Sequence, residues 1–170
     1  AARHIATFRY QFPYMEAGSR RPDSPPMAIA AVRAAVAMAR RHLPDRPLIA
    51  GGKSFGGRLT SQAQAEEPLP GVRGLTFLGF PLHPAKKPSI ARAEHLSRVT
   101  VPMLFLQGDR DQLAERQLLE PLIKTLGSQA TLNLVPDADH SFHVPMRSGR
   151  TDQQVLDGVL NSLTNWAVKL

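Results

Sequence analysis

Short apolar runs alternate along the chain with longer stretches whose hydrophobic residues recur at helical spacing. Residues 5–12 (IATFRYQF) are rich in β-branched and aromatic side chains, which predicts a strand. A polar, Pro-rich loop follows over 13–26. Residues 27–42 (MAIAAVRAAVAMARRH) are Ala-rich without Gly or Pro and predict a helix. Pro47-Leu48-Ile49-Ala50 predicts a short buried strand running into Gly51-Gly52. Residues 55–65 predict a helix that stops before Pro68 and Pro70. Residues 72–80 (VRGLTFLGF) predict a strand, with a loop rich in Pro and Lys to about Pro88 and a short helix over 89–96. The run 102–107 (PMLFLQ) predicts a strand bounded by Gly108, and 114–126 a helix. A strand over 130–135 and a closing amphipathic helix over 151–170 complete the pattern.

Strand and helix in alternation are the signature of a parallel sheet covered on both faces, whose buried strands read as continuous apolar runs. PLIA and PMLFL are such runs. No internal repeat or linker interrupts the pattern, so residues 1–170 are expected to form a single α/β domain.

Composition adds mainly exclusions. At 170 residues the chain can bury a substantial core. With 42% hydrophobic and 21% charged residues it has the balance of a globular protein and not of a disordered one. There are no cysteines, which excludes disulfides, zinc–thiolate sites, iron–sulfur clusters and thiol nucleophiles. Their absence suits a reducing compartment, so a cytoplasmic location is expected. The net charge is +7, from 21 Lys+Arg against 14 Asp+Glu. The positive residues are scattered, dense only at Arg20-Arg21, Arg40-Arg41 and Lys86-Lys87, and nowhere interleaved with aromatics. A solvated Arg-rich surface explains them, and no nucleic-acid partner is expected. No apolar run approaches the ~20 residues that cross a bilayer, so no membrane partner is expected either. The chain opens Ala1-Ala2-Arg3-His4 without Met and runs almost at once into its first predicted strand, as a chain entered partway would.

The chemistry is concentrated at three places. Gly52-Lys53-Ser54-Phe55-Gly56 matches G-x-S-x-G, a motif that matters when a strand precedes it and a helix follows. Both are predicted here. Such a turn exposes the hydroxyl of Ser54 at the carboxyl edge of the sheet and aims the amide of Phe55 at a substrate oxyanion. The bland alternative is a glycine-rich βα turn with an incidental serine. Gly52-Lys53-Ser54 is also the tail of a phosphate-binding loop, but that motif requires glycine at position 47, which is Pro47.

A serine hydroxyl becomes a nucleophile when an imidazole takes its proton, and the imidazole needs a carboxylate to fix its tautomer. After the 102–107 strand come Gly108-Asp109-Arg110-Asp111. Asp111 is favoured over Asp109 as the acid, because three residues of turn clear the strand end, and the other aspartate is left as a turn cap. After the 130–135 strand come Asp137, Asp139, His140 and His143, with His140 the favoured base and His143 in reserve. A metal site in that loop would use the same residues and leave the serine turn unexplained. His4, His42 and His95 are expected at the surface. Tyr10, Tyr14, Phe80 and His83 are the candidate substrate-binding residues, with Phe55 as oxyanion donor.

Gly-Lys-Ser-Phe-Gly-Gly-Arg at 52–58, Gly-Asp-Arg-Asp at 108–111 and Asp-His-Ser-Phe at 139–142 resemble the small bacterial α/β-hydrolases related to dienelactone hydrolase. Phe80-Pro81-Leu82-His83-Pro84 and Arg9-Tyr10-Gln11-Phe12-Pro13-Tyr14 look like the same group, so the likeness covers nearly the whole chain. The resemblance implies an α/β-hydrolase fold and a catalytic triad of Ser54, Asp111 and His140. It implies a small-molecule ester, thioester or lactone as substrate, and no metal or organic cofactor. It also implies an upstream strand with a His-Gly-rich loop donating a second oxyanion amide, which nothing here matches. The expectation is either that an N-terminal strand is missing, as the lack of Met favours, or that the protein is a degenerate relative with impaired catalysis. Only about twenty residues separate the 72–80 strand from Pro102, where relatives insert a lid, so an open site for small substrates is expected. The rival expectation is a non-catalytic binding or scaffold protein that retains the fold.

Overall fold

A computed structural model describes residues 3–170. Four strands, β1 (Leu48–Lys53), β2 (Val72–Leu78), β3 (Met103–Gly108) and β4 (Ala130–Val135), form one sheet in chain order. All neighbouring pairs are parallel. The carboxyl ends of the four strands therefore share one edge, which is where the chain's polar chemistry collects.

The helices are α1 (Pro13–Glu16), α2 (Pro25–His42), α3 (Phe55–Glu66), α4 (Arg116–Leu126) and α5 (Asp152–Ala167). A 3-10 helix covers Ala91–Arg98. Prolines at the start of α2 supply a preset φ where no amide donor is needed, and Arg40, Arg41 and His42 in its last turn suit the negative end of the helix dipole. Its apolar stripe, Ala28, Ile29, Val32 and Val36, is buried, and α2 packs against α3, which in turn lies on β1 and β2. Helix α5 opens with a reciprocal capping box between Thr151 and Gln154 and packs on β3 and β4.

Strand β3 shows how the sheet is covered. Met103 and Phe105 point into the larger core with α2 and α3, while Leu104 and Leu106 join Val155 and Val159 of α5 in a second one. That alternation is the period-two geometry of a strand buried on both faces.

The expected strand over 5–12 does not form. The segment pairs with no strand, with Phe8 46% exposed and only Phe12 buried. β-branched and aromatic residues favour strands through packing on a pleated neighbour, and no strand lies beside this segment. Phe12 instead sets its ring edge-on to Phe55, with centroids 5.3 Å apart. The remaining sequence-predicted elements are present, with ends shifted by a few residues.

Candidate active site

Ser54 sits between β1 and α3 with φ 51° and ψ −116°, a left-handed conformation that costs a non-glycine residue roughly 1–3 kcal/mol. Its amide donates to the carbonyl of Leu78 at 3.0 Å, which ties the turn to the end of β2. The turn is this tight because Gly57 approaches the strand: a Cβ there would lie 2.6 Å from the carbonyl oxygen of Gly52. Phe55 is the first residue of α3, where amides have no intrahelical acceptor and remain free to bind an anion.

The hydroxyl of Ser54 lies 2.8 Å from Nε2 of His140. Nδ1 of the same ring lies 2.7 Å from Oδ2 of Asp111. A carboxylate can only accept, so Nδ1 carries the proton and Nε2 is left to accept from the serine. Three side chains from three strand ends thus form one chain of hydrogen bonds.

Each partner is held from behind. Asp111 is 2% exposed, and its Oδ1 accepts from the amide of Leu113 at 2.8 Å. Its Oδ2 also accepts from the amide nitrogen of Gln107. The His140 loop is tightened by Asp139, whose Oδ1 accepts from the amides of Ser141 at 2.7 Å and His143 at 3.0 Å. The His140 ring rests on Gly79, which has φ +69°; a Cβ there would stand 3.2 Å from the ring's Nδ1 and Cε1. Lys53 donates to the hydroxyl of Ser141 at 3.1 Å and bridges the serine turn to the histidine loop.

Asp109 is exposed and lies outside this relay. His143 also points elsewhere: its Nδ1 is 2.7 Å from Asp152 Oδ2, and that hydrogen bond raises its pKa above the ordinary value. Among the described residues no three His, Asp or Glu side chains converge as a metal site. The expected surface position of His95 is corrected, since it is only 7% exposed. Burial, and then the charges of Arg98 and Arg58, push its imidazole down to about 4.

His95 makes the chain's second Ser–His contact, with Ser61 at 2.7 Å. Ser61 lies inside α3, wholly buried, and its one hydroxyl proton goes to the Arg58 carbonyl, so it accepts from Nε2 of His95, which has no carboxylate partner among the described residues. Without solvent access or an acid, this pair is a satisfied core contact and not a reaction centre.

Of the candidate substrate-binding residues, Tyr14 is half-buried with its ring 6.2 Å from that of Phe55. Tyr10 is partly exposed and meets Phe12 edge-on at 5.5 Å. Phe80 and His83 are not brought to the site, each being 0% exposed. The reason is local: after Gly79 the chain turns inward, where Phe80 packs between Phe77 and Phe105. His83 bonds the Pro84 carbonyl at 2.9 Å and stands 2.5 Å from Glu115. A cavity of about 560 Å³ does open beside the relay, with Arg110, Asp111, Gln112, Leu113, His140 and His143 in its wall. Around the acid turn burial alternates, with Asp111 buried and Arg110 and Gln112 exposed on this cavity. Gln107 and Gly79 escaped the sequence reading. The available signal was a lone polar residue closing the apolar run MLFL directly before Gly-Asp.

Residues 1–168 match the sequence profile of the alpha/beta hydrolase domain. The chain belongs to that family. Solved structures agree on the fold of this alpha/beta hydrolase. A serine hydrolase without lid from Xanthomonas campestris superposes with a TM-score of 0.62 at 23% identity, over 87% of this chain and 61% of that one. A serine hydrolase homologue from Coxiella burnetii gives 0.60 at 18% identity, over 89% and 62%. A putative dienelactone hydrolase from Klebsiella pneumoniae gives 0.66 at 17% identity, over 95% and 69%. This alpha/beta hydrolase thus spans about six-tenths of the length of the first two. No helix among its described residues is long and apolar enough to cross a membrane.

Proposed function

We propose that the chain is a serine hydrolase that cleaves a small carboxylic ester, thioester or lactone through an acyl-enzyme on Ser54. The observation that supports this reading is the unbroken relay from the Ser54 hydroxyl through His140 to Asp111, at 2.8 and 2.7 Å. The hydroxyl attacks the substrate carbonyl while its proton passes to Nε2 of His140. Asp111 stabilises the resulting imidazolium and keeps the ring in register. The carbonyl oxygen becomes an oxyanion held by the Phe55 amide, a contact worth roughly 100- to 1,000-fold in rate. Collapse of the tetrahedral species breaks the bond to the alcohol or thiol oxygen or sulfur, which takes the proton from His140 and departs, or in a lactone stays tethered to the acyl group. Water then gives a proton to His140, attacks the acyl carbon and releases the acid, returning Ser54 to its hydroxyl form. Every proton is accounted for within the relay, with no added cofactor.

The cavity beside His140 opens to solvent and suits a small soluble substrate. Tyr14 and Phe55 form an aromatic ledge on the serine side. Labelling with a fluorophosphonate probe tests the reading. Ser54→Ala is expected to abolish labelling and Ser61→Ala to retain it; labelling of neither wild type nor Ser61→Ala would remove the case for a charged nucleophile. A panel of short-chain esters, thioesters and lactones then identifies the substrate class.

A further inference from the structure

We propose that Gln107 is a positioning residue of this site: its side-chain amide fixes the carboxylate of Asp111 in the plane and orientation that His140 requires. The inference rests on the triad reading above and goes beyond it, because the hydrogen bonds of Gln107 go to Phe80 and Asp111 and not to the serine or the histidine.

Gln107 lies in β3, one residue before the Gly108 turn, and is wholly buried. A buried primary amide is costly unless both ends are satisfied. Here Oε1 accepts from the backbone amide of Phe80 at 2.8 Å and Nε2 donates to Oδ2 of Asp111. The two partners fix the amide's orientation. Turned over, it would set oxygen against carboxylate oxygen and NH2 against the Phe80 N–H. Gln107 therefore braces the acid of the relay against the backbone that follows β2, the strand that also anchors Ser54 and underlies His140.

Asp111 Oδ2 is the oxygen that receives Nδ1 of His140, while Oδ1 takes the Leu113 amide. The Leu113 bond alone leaves the carboxylate able to swing about its own axis. The Gln107 donor reaches the His-facing oxygen and removes that freedom. It does so without charge, so it competes with neither the imidazolium nor the serine proton.

Two variants test this by different routes. Gln107→Leu removes the brace at similar volume. Its kcat is expected to fall about ten- to a hundredfold, the range for losing a hydrogen bond to a charged group, with KM unchanged. Gln107→Glu is more discriminating. In its protonated form a glutamic acid can still donate to Oδ2 and accept from Phe80. Once ionised, it faces Asp111 as a second carboxylate. The variant should therefore lose activity as pH rises, giving a narrowed bell where the wild type stays high on the alkaline side. A residue that merely fills space would not create that falling limb.

The low-field proton signal of His140 Nδ1, followed by NMR, is an independent readout. It is expected to move in Gln107→Leu while Ser61→Ala leaves it in place. Should the wild type neither turn over substrate nor react with fluorophosphonate, the hydrolase reading fails, yet this signal still reports whether Gln107 holds Asp111. The proposal is overturned if Gln107→Leu keeps kcat within threefold and leaves the signal unmoved. A wild-type pH profile in Gln107→Glu overturns it as well.

Discussion

Ser54 occupies a backbone conformation that most side chains avoid, and what offsets the strain is visible in its neighbours: a hydrogen bond from its amide to the Leu78 carbonyl and the bare Cα of Gly57. Asp111 and Asp109 flank the same turn, and their substitutions should separate cleanly. Asp111→Asn removes the charge that stabilises the imidazolium and permits the wrong tautomer, so kcat is expected to drop about 1,000- to 10,000-fold. Asp109→Asn, at an exposed position, should stay within about twofold on the same substrate. Gly79→Ala would press a methyl against the His140 ring in a backbone region hostile to alanine. We expect a loss of about 1–2 kcal/mol in urea titration, together with a fall in kcat larger than the stability change explains. At this scale the sequence signal was position: Ser54, Asp111 and His140 each follow a predicted strand, and the first two have a glycine within three residues. It was misleading for His95, because a histidine next to Arg and Glu looks solvated, and only the packing of the 3-10 helix on α3 buries it.

Among the elements, that same packing carries a pH signature. Unfolded, the His95 imidazole titrates near 6.5; folded, it is held at about 4 by burial and by Arg98 and Arg58. Between those values the unfolded chain binds the extra proton. Stability contributed by neutral His95 is therefore complete above about pH 6.5 and is lost as pH falls toward 4. With allowance for solvent screening the effect is on the order of 2 kcal/mol. His95→Gln, whose side-chain NH2 still offers Ser61 a donor, should narrow the difference between urea midpoints measured near pH 7 and near pH 5. At the start of α5, Thr151→Ala should cost about 1 kcal/mol in the same titration, since it dismantles a capping box. The strands and helices after residue 25 were legible because their periods are long and their ends punctuated by Gly or Pro. Residues 5–12 were not, since strand propensity speaks of a surface to lie on and the sequence does not say whether one adjoins.

For the molecule as a whole, four parallel strands in chain order bring their carboxyl ends to one edge, so residues 54, 111 and 140 meet although they are far apart in sequence. The shared edge was the part most open to sequence reading, because parallel connectivity collects the strand ends there, whereas the loop contacts of Asp139 and Lys53 bring His140 across from β4 to Ser54 after β1. The direction taken by the segment after β2 was not open to it. Phe80 and His83 belong to a loop whose composition suits a pocket rim, and what turned them inward was the Gln107 bond to the Phe80 amide and the hydrophobic space beside Phe105.

The alternation around the acid turn carries a practical consequence. Arg110 and Gln112 stand exposed on the cavity, while Asp111 between them, which also borders it, is buried and held by Gln107. On the proposed mechanism, selectivity would fall to the exposed pair and turnover to the buried residue between them. A library randomised at 110 and 112 alone should yield variants that differ in which leaving groups they accept while retaining a common deacylation rate.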